Sequence, residues 1–165
     1  MDKRNRPALA YLLVGVASAG RAMLAMPDAV ALQEVSLTVL ALVGYLLLDR
    51  RALPVLACGT VQLVLELVLC GTLTGPAWLA PLLRAAALWL LWATVAQMVK
   101  IAGYTDGKNA KMPLAAAVPL AVYCIAHFFA GMATAASFAF IVFSITLLWY
   151  AVLLLRAYNT TRVKK

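Results

Sequence analysis

Six side chains in this 165-residue sequence have the types and positions that chemistry can use: Arg21, Glu34, Gln62, Glu66, Arg84 and His127. Each stands in a stretch of apolar residues. Glu66 is the plainest case, in "VQLVLELVLC" at 61–70, with Gln62 one helical turn before it. A guanidinium grips a carboxylate or phosphate through two parallel N–H bonds. A glutamate meets an amine or carries a proton. Two Arg and two Glu together suit a small anionic or zwitterionic solute. Other chemistries lack their residues. His127 is the only histidine, which excludes bis-histidine haem and a multi-histidine metal site. Cys58, Cys70 and Cys124 are odd in number, lie in apolar runs and form no CxxC. They therefore point to neither a disulfide framework nor zinc. No metal or cofactor is expected.

The elements that must position these groups follow from composition. The chain is 65% hydrophobic and 12% charged, too apolar for a soluble domain of this size. Its apolar runs suit the lipid bilayer, where a helix satisfies its own backbone. The fold class expected is all-α integral membrane protein, a six-transmembrane-helix bundle forming one domain over 1–165. The spans are read at 8–26, 29–48, 52–73, 77–99, 113–131 and 134–155. Turn chemistry separates them: "MPDA" at 26–29, "LDRRALP" at 48–54, "TGPA" at 74–77, "GYTDGKNAKMP" at 103–113 and "GMAT" at 131–134. Pro54, Pro76 and Pro113 stand at or near helix starts, whereas Pro81 and Pro119 fall within spans and predict kinks.

Charge orients the spans. The net charge is +8, and twelve of the fourteen Lys and Arg flank one side only. They are Lys3, Arg4, Arg6, Arg50, Arg51, Lys100, Lys108, Lys111, Arg156, Arg162, Lys164 and Lys165. The opposite loops hold only Asp28. This pattern places both termini in the cytoplasm of a multi-pass inner (plasma) membrane protein. It is not the basic stripe with interleaved aromatics that nucleic acid requires. Residues 1–19 also resemble a signal peptide, with Ala17-Ser18-Ala19 as a cleavage site. Retention is preferred, because the apolar run continues past Arg21 and reaches spanning length.

Arg21 and Arg84 are the two basic residues left inside the membrane. Counted from the span ends, Arg21, Glu34, Glu66, Arg84 and His127 all lie roughly 6–11 Å below the outer surface. Arg21 and Glu34 are equidistant from the Pro27-Asp28 turn, and Glu66 and Arg84 from Gly75. In antiparallel hairpins equal distance means equal height. The expected pairs are therefore Arg21 with Glu34 and Arg84 with Glu66. Such pairs would fix helix register, or else line a polar cavity open outward. Polar companions favour the cavity: a stripe of Cys58, Gln62 and Glu66 on the third span, Gln33 beside Glu34, Ser18 before Arg21, and Tyr123 one turn before His127. His127 alone reads more readily as a hydrogen-bonded packing residue than as a relay. Trp89 and Trp92 read as packing in mid-membrane.

The function expected is a small membrane transporter or substrate-capture subunit, with Arg21, Glu34, Gln62, Glu66, Arg84 and His127 as substrate-binding residues. The alternative is a non-transporting assembly, sensor or regulatory partner whose buried pairs are structural. An enzyme is least favoured, since no nucleophile–histidine constellation or carboxylate pair of the usual kind is present. Expected partners are the lipid bilayer, a small polar solute, and a partner subunit or a second copy. In size, six spans and cytoplasmic ends, the layout resembles the substrate-capture subunits of energy-coupling-factor vitamin transporters. The resemblance stops at layout: the glycine- and aspartate-rich segments of that group are not here. Arg21 and Arg84 share one depth, which speaks against a three-plus-three inverted repeat.

Overall fold

A computed structural model of the protein describes residues 6–24, 32–48, 52–71, 78–104, 111–129 and 131–163. The turns expected at 26–29 and 74–77 lie outside the described residues. So do residues 49–51 and 105–110, and with them Lys3, Arg4, Asp28, Arg50, Arg51, Pro76, Lys108, Lys164 and Lys165. What is described is all-helical: α1 (Arg6–Leu24), α2 (Leu32–Leu46), α3 (Leu53–Cys70), α4 (Leu79–Ile101), α5 (Met112–His127) and α6 (Ala133–Val163). Four of these, α1, α3, α4 and α6, are long and apolar enough to cross a membrane. Helices α2 and α5 are apolar but shorter, at 15 and 16 residues.

Helix limits follow local chemistry. Pro54 and Pro113 sit in the first turns of α3 and α5, where a missing N–H costs nothing. Pro81 is also in a first turn, because α4 begins at Leu79. The kink expected there has no broken bond to cause it. Pro119 is truly internal, and α5 remains helical on both sides of it. Gly131, at φ 95°, supplies the left-handed residue of the turn into α6. The sixth span was read to residue 155, but α6 runs to Val163. Nothing in 156–163 breaks a helix, and Thr160 and Thr161 donate their hydroxyl protons back to the Ala157 carbonyl at 3.0 and 2.7 Å.

Each helix packs on its neighbours in sequence, and α1 closes the ring through its extensive contact with α6. Helix α4 also reaches α6 and touches α1, so it divides the interior into two lobes. The lobe of α1, α4, α5 and α6 is apolar, built on Val14, Met98, Leu120, Phe143 and Leu154. Tyr123 meets Phe140 there at 5.4 Å. Trp89 and Trp92 pack edge to face at 5.3 Å, and the Trp92 indole N–H donates to the Pro113 carbonyl at 3.1 Å. These tryptophans are packing groups that tie α4 to α5. The outer surface is apolar in the same way. Leu114, Val118, Val122 and Ile125 are exposed along α5, and Phe138, Ile141, Ile145 and Trp149 along α6. In water these stripes would be a liability; against lipid tails they are the expected coat.

The α1–α2 approach depends on missing side chains. Gly20 faces Leu37 and Gly44 faces Val14, a register that only an antiparallel pair provides. A Cβ built on Gly44 would lie 2.7 Å from a Val14 methyl and 3.1 Å from the Ala10 carbonyl oxygen. The second of these is backbone and cannot swing aside. Gly44→Val is therefore expected to destabilise the fold by about 1–3 kcal/mol. A drop in unfolding temperature of the purified protein in detergent would register it; an unchanged temperature would mean that α1 and α2 are less close.

Candidate functional site

The other lobe, enclosed by α1, α2, α3 and α4, is polar. Each helix turns one inward face to it. From α1 come Ser18 and Arg21, from α2 Glu34, Thr38 and Tyr45, from α3 Gln62 and Glu66, and from α4 Arg84 and Thr94; all are buried. The ionisable four are buried to an unusual degree, with relative exposures of 3% for Arg21, 1% for Glu34, 0% for Glu66 and 5% for Arg84. Their positions along the helices agree with a common level: Arg21 in the last turn of α1, Glu66 just before the last turn of α3, Glu34 in the first turn of α2 and Arg84 in the second turn of α4.

The pairing differs from the one expected. Arg21 Nη2 meets Glu66 Oε1 at 2.5 Å, and Arg84 Nη1 meets Glu34 Oε2 at 2.8 Å. A second contact from Arg84 Nη2 to Glu34 Oε1, at 3.3 Å, makes that pair a bidentate fork. The pairs thus run along the diagonals, α1 to α3 and α2 to α4, instead of within the hairpins. Equal height was the correct part of the expectation. Four groups on one level in a square of helices can pair along edges or across it, and equidistance from a turn does not choose. Arg21 still touches Glu34, but through its main-chain carbonyl, at 3.0 Å. Arg21 in the last turn of α1 and Glu34 in the first turn of α2 lie at helix ends whose dipoles favour their charge.

Thr38 bridges the two members of the Arg21–Glu66 diagonal and was missed in the sequence. Its hydroxyl accepts from Arg21 Nη2 and donates to Glu66 Oε2. The Glu34 carbonyl, 3.1 Å away, competes for the same proton. The signal was present: Thr38 is four residues after Glu34, on the same helical face. Gln62 behaves as expected, donating from Nε2 to Glu66 Oε1 at 2.9 Å. Two proposed companions do not. Gln33 is exposed, and Cys58 flanks the buried stripe of α3 without belonging to it, for that stripe runs Val55, Gly59, Gln62, Glu66. Gly59 replaces Cys58 because α2 comes close there, with Leu42 and Tyr45 carbons 3.0 Å from any Cβ. His127 is half-buried at the end of α5, its ring 5.5 Å from that of Tyr123. None of the described hydrogen bonds joins it to the four charges.

Two cations and two anions make the cluster neutral. Beside it lies a cavity of about 10 Å³, bounded by Ser18, Arg21, Thr38, Tyr45 and Gln62 with Leu91 and Val95 as apolar wall. That is room for roughly one water. Among the described residues no group of three or more His, Cys, Asp or Glu is arranged to hold a metal ion. Comparison with known protein families, curated proteins and solved structures finds no match for this chain.

The crossed pairing has a measurable signature. Arg21→Leu alone strands a buried carboxylate and is expected to cost about 3–5 kcal/mol, whereas Arg21→Leu with Glu66→Leu is expected to cost much less than the sum of the singles. The combination of Glu66→Leu with Arg84→Leu should show the smaller coupling. Denaturant unfolding of the singles and doubles reads this directly. A larger coupling between 66 and 84 would restore hairpin pairing.

Proposed function

We propose that the chain is a six-span inner (plasma) membrane protein with both termini in the cytoplasm. We infer that it acts as a non-transporting assembly, sensor or regulatory partner, with the Arg–Glu diagonals as structural pins. One observation carries this reading. The two arginines and two glutamates pair with one another, and the cavity beside Arg21 among the described residues, about 10 Å³, is too small for an organic solute. A site awaiting an amino acid or a phosphate would be expected to enclose a larger volume, typically some hundreds of Å³.

The topology rests on where charge falls on the helices. Arg6 opens α1, Lys100 is near the end of α4, Lys111 precedes α5, and Arg156 and Arg162 close α6; all five are exposed. Antiparallel packing brings them to one end of the bundle, the end that the positive-inside rule assigns to the cytoplasm. The packing of α1 against both α2 and α6 also supports retention of the first span. This basic end is the surface offered to a cytoplasmic or membrane partner.

Solute transport is the second reading, favoured by the expense of the site itself. Matched apolar residues would pack such a core at lower cost than four desolvated ions, and intramembrane ionisable groups mark solute paths more often than not. On that reading the crossed pairs are a closed gate, and opening would exchange protein partners for a solute's carboxylate or amine.

One experiment separates the two. Replacing a whole diagonal, Arg84→Leu with Glu34→Leu, should leave a folded protein in either case. Thermal-shift screening of the parent against amino acids, carboxylates and phosphates is expected to give no stabilisation. A ligand that raises the unfolding temperature by several degrees in the parent, and not in the double variant, would establish transport or capture instead. Topology is checked by single cysteines at Lys111 and Arg162 in a cysteine-free background. A membrane-impermeant maleimide should label them only after the cytoplasmic face is opened.

A further inference from the structure

We propose that one water molecule is a built-in member of the polar lobe, bound by Arg21 in the cavity between α1, α2, α3 and α4. This inference does not depend on either functional reading. It begins with the donor count on Arg21. A guanidinium carries five N–H bonds on three nitrogens. The hydrogen bonds that Arg21 makes to the described residues all leave from Nη2, which is shared among the Glu34 carbonyl, Thr38 and Glu66. Nη2 has two hydrogens for those three acceptors. Nε and Nη1 have three hydrogens and no acceptor among the described residues, although the side chain is nine-tenths buried and more.

The cavity bordered by Arg21 has the size and the lining that a water needs. About 10 Å³ is near the lower limit for one molecule, and a bound water wants two to four polar partners. Arg21 provides donors. Ser18 provides an acceptor, because its own proton is committed to the Val14 carbonyl at 2.8 Å and its oxygen lone pairs remain. Gln62 provides another: its amide N–H goes to Glu66, and no described donor reaches its carbonyl oxygen. A water accepting one or two hydrogen bonds from Arg21 and donating to Ser18 and Gln62 gives all three residues a partner. Leu91 and Val95 line another part of the cavity and give the water no competing partner there.

The test is an experimental structure of the full chain at better than roughly 2 Å, where ordered water is visible. The expected result is a single density peak within hydrogen-bond distance of Arg21 and at least one of Ser18 and Gln62. Either no density there or a multi-atom molecule overturns the proposal. A second measurement stands on its own. Ala41 also borders the cavity, and Ala41→Val takes up its volume with apolar atoms. If a bound water is displaced, the unfolding temperature is expected to fall by at least about 3 °C, on the scale of a lost buried hydrogen bond in a chain of this length. An increase would mean that the cavity was a packing defect, and the proposal would fail.

Discussion

A guanidinium buried among apolar helices must have a counter-charge, and much of this fold is organised by that demand. Arg21 and Arg84 each reach across a square of helices to the carboxylate on the opposite corner. Neighbouring helices in the ring already touch through backbone and small side chains. The diagonals have little or no such contact among the described residues and are joined by long charged side chains instead. Because neither pair is confined to one hairpin, each hairpin, though neutral in sum, finds its ion-pair partners in the other. That couples α1–α2 to α3–α4 more firmly than the modest packing between α2 and α3 would.

The two lobes use different physics for the same purpose. In the apolar lobe, close packing of aromatic and branched residues holds α4, α5, α6 and α1 together, and many similar side chains would serve. In the polar lobe, the geometry is exacting. A donor moved by one helical position leaves a carboxylate buried and uncompensated. Thr38 shows how economical the arrangement is: one hydroxyl receives from a cation and gives to an anion, so that both members of the Arg21–Glu66 diagonal meet at a single oxygen supplied by α2. Specificity is concentrated where the residues are fewest.

Much of this was legible in the amino-acid order. Apolar run length gave the number of helices, and turn residues gave most of their limits. Composition pointed to lipid as solvent, in keeping with four helices of spanning length and apolarity. The common level of Arg21, Glu34, Glu66 and Arg84 was also visible, because height along a helix is linear in residue number. Which partner each would take was not visible. That depends on helix rotation and on the choice between edge and diagonal, neither of which residue counting contains. The error over Cys58 and Gly59 has the same origin. A stripe read at every fourth residue drifts around a 3.6-residue helix, and only the approach of α2 decides which side is buried. The size of the cavity was hidden for a third reason: spare volume is a difference between many packed side chains and has no local signature.

Helix α6 continues for 31 residues, about 46 Å, against a hydrocarbon layer of roughly 30 Å. In a helix that crosses such a layer, a tilt of up to about 40° leaves a turn or more outside it. For α6 that would be the last turns, where Arg162 donates to the Tyr158 hydroxyl at 3.1 Å, one piece with the rod beneath. Since that rod lies against both α1 and α5, a tug or twist on its end would be delivered into the middle of the bundle without any flexible joint to absorb it.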